Sequence, residues 1–118
     1  MTKNTQKWIN ALRSGKYKKT THHLSHNGKF CCLGVACEVA IANGVKLKVR
    51  DTKRFGQSRT YNGLRNFPPL SVIKWLGFKK GKKVREFEQA LATLNDYKGK
   101  SFKAIADVIA EASEELFA

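Results

Sequence analysis

The stretch from Phe30 to Ala42 constrains the fold more than any other part of this chain. Apolar residues fall on every side of it instead of along one stripe, the pattern of a helix buried on all faces. Its side chains are mostly small, including Gly34, Ala36, Cys37, Ala40 and Ala42, so neighbouring helices can approach closely. Asn43-Gly44 supplies a left-handed stop. The run is too short for a membrane span of roughly 18–20 residues, and Gly34 and Glu38 interrupt it. A helix of this kind must be wrapped by the rest of the chain, and 118 residues suffice for one domain burying about two thirds of its surface.

The flanking segments supply the wrapping. A first helix is predicted from Thr5 to Ser14, capped by Asn4 or Thr5, with Trp8, Ile9 and Leu12 on one face and Gly15 as its stop. Asn27-Gly28 predicts a short hairpin, because a type I′ turn needs positive φ at both central residues. Val45, Leu47 and Val49 alternate with Lys46, Lys48 and Arg50 as in a half-buried strand. Residues 51–66 read as a polar loop or second ribbon, with a further Asn-Gly turn at Asn62-Gly63. Pro68-Pro69 opens a helix with Leu70, Val72, Ile73 and Leu76 inward, and Gly77 ends it. Phe87, Ala90, Leu91 and Leu94 mark another helix, and Ser101 caps a last one. The expected fold is a mostly helical α+β single domain over residues 1–118, with about five helices and one or two small antiparallel ribbons.

Charge is distributed unevenly. Residues 1–85 hold twenty Lys and Arg against two acids, Glu38 and Asp51, a net +18; residues 86–118 carry a net −4. The whole chain stands at +14, beyond the magnitude of about 2–8 that solubility asks of a small domain. The cations cluster at Lys16, Lys18 and Lys19; at Lys46, Lys48, Arg50, Lys53 and Arg54; and at Lys79, Lys80, Lys82, Lys83 and Arg85. All three clusters read as loops or edge strands. Tyr17, Phe55, Tyr61 and Phe78 are interleaved with them as candidate stacking surfaces. Such a field attracts polyanions, and neutralising phosphates releases counterions. A lysine-rich coat that deters aggregation is the plainer reading of the same residues. An acidic last helix docked on the basic body would weaken the field.

Motifs for chemistry are sparse. Three cysteines within residues 31–37 are too few and too close for a disulfide framework, which points to reduced thiols in a cytoplasm. On a helix at about 100° per residue, Cys32 and Cys37 splay by roughly 140°, so a zinc site shared with His22, His23 and His26 is disfavoured. The expected role of the thiols is to fill a tight core. A nucleophilic Cys31 or Cys32 with His23 as base lacks an evident Asp or Asn to orient the imidazole. Lys98-Gly99-Lys100-Ser101 lacks the upstream glycine of a phosphate-binding loop. The carboxylates form no two-metal pattern. These residues give no catalytic set, no metal and no cofactor.

Trp8-Ile9-Asn10-Ala11-Leu12-Arg13-Ser14-Gly15-Lys16-Tyr17 and Gly28-Lys29-Phe30-Cys31-Cys32-Leu33-Gly34-Val35-Ala36-Cys37-Glu38 together resemble a widespread group of small tailed-bacteriophage proteins. Phe67-Pro68-Pro69, Trp75-Leu76-Gly77, Leu94-Asn95-Asp96 and Ser101 to Asp107 extend the resemblance over nearly the whole chain. It implies a phage accessory protein in the cytoplasm of an infected bacterial host, and it carries no catalytic residues with it. The expectation is a non-enzymatic protein that binds an acidic macromolecule. Nucleic acid with little sequence preference comes first; an acidic host protein that it modulates is the alternative, and no membrane partner is expected.

Overall fold

Thr2 opens the first helix, α1 (Lys3–Arg13), its hydroxyl accepting the Thr5 N–H at 3.1 Å. The cap thus lies two residues before the expected Asn4, because Thr5 is buried and its own hydroxyl donates to the Leu76 carbonyl. The structure, a computed structural model, describes residues 1–53, 56–79 and 81–116, with side chains as far as 112. Among these are five helices and one small antiparallel sheet of four strands.

The hairpin β1 (Ser25–His26) and β2 (Lys29–Phe30) turns at Asn27-Gly28, both with positive φ of 53° and 76°. A second ribbon, β3 (Val49–Thr52) with β4 (Ser58–Tyr61), joins it edge to edge. The strand order is β2-β1-β4-β3, so the expected ribbons fuse into one sheet. Regular pairing on β3 starts only at Val49. Val45 and Leu47 turn toward the core, but residues 45–48 run as a strap tied to the Ala40 carbonyl and to Asn62.

The apolar stretch forms α2 (Cys32–Ala42), with Cys32, Val35, Ala36, Cys37 and Ala40 fully buried. Gly34 permits the closest approach, since a Cβ there would stand 1.8 Å from the Leu24 carbonyl oxygen. Trp8 of α1 donates its indole N–H to the Cys32 carbonyl at 2.9 Å. The short α3 (Leu70–Leu76) follows the prolines and ends at Gly77, with φ 93°. Val72, Ile73 and Leu76 face inward, whereas Leu70 is half exposed in the helix's first turn.

The last two helices are α4 (Lys82–Asp96) and α5 (Phe102–Leu116). Lys82, Lys83 and Arg85, expected in a loop, occupy the first turns of α4, where Val84 takes the inward position and Ala90 is exposed. Ser101 caps α5 by accepting the Ala104 N–H at 3.1 Å. Among the described residues no helix is long and apolar enough to cross a membrane.

Candidate functional site

The Asn62-Gly63 turn organises the basic surface. Asn62 exchanges bonds with the strap, its N–H donating to the Lys48 carbonyl at 2.8 Å and its side-chain oxygen accepting the Lys48 N–H at 2.7 Å. This fixes Lys46, Lys48 and Arg50 around a depression of about 720 Å³ that reaches Gly63. From Gly63 the loop Leu64–Phe67 forms one wall of a larger opening of about 840 Å³, with Lys82, Arg85 and Glu88 of α4 opposite. Asn66, Phe67 and Gln89 continue into a third opening of about 580 Å³ beside Asp96 and Tyr97. Gly63 is shared by the first two openings and Asn66, Phe67 and Gln89 by the last two, and the three adjoining openings together are the trench. The Leu24 N–H, bonded to the Arg65 carbonyl at 2.7 Å, holds the loop against the sheet.

The two acids of the first 85 residues are spent on one internal network. Arg59 reaches Glu38 at 3.2 Å and Asp51 at 2.9 Å, and Tyr61 donates its hydroxyl to Glu38. The Asp51 carboxyl is held low by its bond to Arg59, and burial with Glu38 pushes the Tyr61 phenol up. On α5, Asp107 pairs with Arg13 of α1 at 2.8 Å, so this acid lies on no predicted cluster. Within the trench, burial raises the Glu88 carboxyl while Arg85 pulls it down.

The predicted residues divide accordingly. Lys46, Lys48, Arg50, Lys82 and Arg85 converge on the trench. Lys53, Lys79 and Lys83 are exposed without lining it. Lys16, Lys18 and Lys19 stand apart: the backbone of residues 18–20 pairs with Phe30 on β2, at the sheet edge opposite β3. Arg54, Phe55 and Lys80 lie outside the described residues. Two of the expected stacking rings are corrected by burial. Tyr61 is fully buried on Glu38, and Phe78 is 6% exposed with its edge against Trp8 and Phe87. Tyr17 is half-buried against Phe30, beneath the Lys16 ammonium. Among the described residues the open rings are Phe67 at 38% exposed and Tyr97 at 74%, and both line the trench. Neither sits inside a lysine cluster, so charge patterning does not find them.

The sulfur residues also divide. Cys32 and Cys37 are fully buried fillers whose thiols burial pushes well up. Cys31 is the N-cap of α2; its sulfur accepts the Gly34 N–H at 3.4 Å and lines the third opening with His22 and His23. All three are free thiols of the buried core, as expected, and Cys31 adds a capping role to its packing. Asp96 of α4 accepts the His22 backbone N–H at 2.9 Å and lies 3.6 Å from the His22 Nδ1, whereas the Nδ1 of His23, the residue weighed as a base, has no hydrogen-bond partner. Among the described residues no group of three or more His, Cys, Asp or Glu is placed to hold a metal ion.

Residues 1–113 match the model of a domain of unknown function, DUF8296. The chain belongs to that family. Neither a curated relative nor a solved structure matches it. The DUF8296 match takes in every residue of the trench and of the opening beside Cys31.

Proposed function

We propose that this DUF8296 protein binds a nucleic-acid strand along the trench, with little sequence preference. The observation that carries the reading is the convergence of two cation clusters, distant in sequence, on one wall-sharing trench that also exposes Phe67 and Tyr97. Lys46, Lys48, Arg50, Lys82 and Arg85, joined by Arg65, would contact phosphates, while the two rings stack on bases. The N-terminus of α4 adds to the field. It has no side-chain cap and no acid in its first turn, yet carries Lys82 and Lys83 at the positive end of the helix dipole. Lys82 lies 3.9 Å from Glu86 one turn on, and a phosphate placed there would meet the positive end of the helix together with both lysines. Following the phage resemblance, the strand would be met in the cytoplasm of an infected bacterium.

Fluorescence anisotropy with labelled DNA and RNA oligonucleotides at several salt concentrations tests this. Affinity should fall steeply with salt, and reversing Lys48 and Arg85 to Glu should reduce the slope by about one for each phosphate no longer neutralised. Reversing Lys18 and Lys19 should change it far less. Binding that is absent at low salt or insensitive to salt would refute the reading. A protein captured from bacterial lysate that survives nuclease would shift it to an acidic host protein on the same face.

A further inference from the structure

We infer that the largest opening of the trench, between the 63–68 loop and α4, is a pocket for one unpaired guanine of the bound strand, with Glu88 accepting the donors of its Watson–Crick edge. The inference rests on the strand reading above and adds to it a base preference at a single position. The opening, about 840 Å³, falls within the roughly 300–1,000 Å³ of pockets that hold small organic groups. Phe67 stands on one wall, and the buried Ile73 and Val84 add apolar lining.

The opposite wall is built by one face of a helix. Lys82, Arg85, Glu88 and Gln89 recur at helical spacing along α4, and all four line the opening. At about 1.5 Å of rise per residue, Lys82 and Glu88 are offset by about 9 Å along the axis. That offset is close to the reach of one nucleotide from its phosphate to the far edge of its base. A phosphate at the start of the helix meets Lys82 and Arg85. The base then lies against Phe67 with its edge toward Glu88.

Glu88 decides which ligand fits. Its carboxylate is half-buried, and neither it nor the side chains of Asn66 and Gln89 hydrogen-bond to any described residue. A partly desolvated carboxylate short of donors carries a cost that the N–H groups of a ligand recover. Guanine, alone of the common bases, presents two adjacent donors, N1–H and the N2 amine, to match the two carboxylate oxygens. Adenine and cytosine set one amine beside an acceptor nitrogen, and thymine and uracil set one N–H between two carbonyls. Each of these leaves a Glu88 oxygen facing a lone pair. An acidic peptide or a fatty acid would suit Lys82 and Arg85 but would set an anionic or apolar group against Glu88.

The test uses the full chain in fluorescence anisotropy with short labelled oligothymidylates carrying guanine, adenine, cytosine or inosine at one central position. The guanine oligonucleotide should bind about tenfold or more tighter than the adenine one, as a bidentate base contact allows. Adenine stacks on a ring as guanine does, so this ratio is not set by Phe67. Inosine keeps N1–H but lacks the N2 amine, and should fall between the two. Glu88→Gln puts a donor amide in place of one acceptor oxygen and should bring the guanine-to-adenine ratio to about one. The comparisons of bases use the unaltered chain and stand whether or not the variant folds. Equal, salt-sensitive binding of guanine and adenine, inosine binding as tightly as guanine, or a ratio that survives Glu88→Gln would each overturn the guanine pocket and leave the strand reading in place. Absence of binding to every oligonucleotide would overturn both, and a labelled amphipathic Glu/Leu peptide that bound instead would give the opening to an acidic protein.

Discussion

The side-chain oxygen of Asn95 accepts the backbone N–H of Cys32 at 3.2 Å, linking the last turn of α4 to the first turn of α2. Asn95 is fully buried, and its amide donates to the Thr20 carbonyl and to Asp96, both at 2.9 Å. One amide therefore satisfies an orphan donor of the central helix and anchors the loop that leads to His22. Asn95→Ala would bury the Cys32 N–H and the Thr20 carbonyl without partners. The expected loss is about 2–3 kcal/mol in urea unfolding, with Asn95→Asp no better because the oxygen replacing its amide nitrogen would face the Thr20 carbonyl and the Asp96 carboxylate.

A methyl group at residue 34 is a harsher change. It would drive a Cβ to 1.8 Å from the Leu24 carbonyl oxygen, and that atom is backbone, which cannot swing aside as a side chain could. Gly34→Ala should lower stability by more than about 3 kcal/mol, enough to leave much of the chain unfolded or insoluble. Circular dichroism and the soluble yield at a fixed temperature check this.

These two residues mark what the sequence carries and what it hides. The all-round apolar pattern identifies α2 as central, and the Asn-Gly pairs identify both turns, because each signal is local. Partners far apart in the chain give no local signal: Asn95 with Cys32, Asp96 with His22, and Tyr61 with Glu38. Tyr61 lies in a segment, Ser58–Tyr61, with only one apolar side chain, so no periodicity betrays its burial. The start of α4 is hidden because Lys82 and Lys83 oppose its dipole and Val84 alone supplies an inward residue. The trench is legible only as charge; its aromatic members lie in a proline-bounded loop and just past a helix end.

Burial of Tyr61 separates stability from binding. Tyr61→Phe keeps the ring and removes the donor to Glu38, so stability should drop by about 1–2 kcal/mol while oligonucleotide affinity stays within about twofold. A large affinity loss in a folded Tyr61→Phe protein would mean that the ring contacts ligand. Thermal unfolding and anisotropy on the same preparation give both answers.

The opposite separation is expected at Phe67. Its ring is partly exposed and lines two adjoining parts of the trench. Phe67→Ala should weaken single-strand binding by about 1–3 kcal/mol, the usual worth of one stacked base, without reducing the salt slope. Arg85→Glu should reduce that slope. Identical salt slopes in the two variants would remove the distinction between stacking and phosphate contacts.

Stability should also respond to pH through His23. Burial, with His26, Arg65 and His22, holds its imidazole below the ordinary value of 6.5, against an opposing pull from Asp96. In the unfolded chain the ring regains that ordinary value, so below it the unfolded state takes up a proton that the folded state resists. The stabilising contribution is full above about pH 6.5 and is lost as pH falls from there toward the folded-state value. Asp51 acts in the same sense at lower pH: its carboxyl is held below the ordinary 3.8 by Arg59, and its contribution is lost on acidification through that range. The two are separable by mutation. His23→Gln should flatten the dependence between about pH 5 and 7 and leave the acid limb unchanged, whereas Asp51→Asn should do the reverse. Urea midpoints measured at half-unit pH intervals decide it, and a His23→Gln profile that still falls between pH 7 and 5 would place the proton uptake on another group.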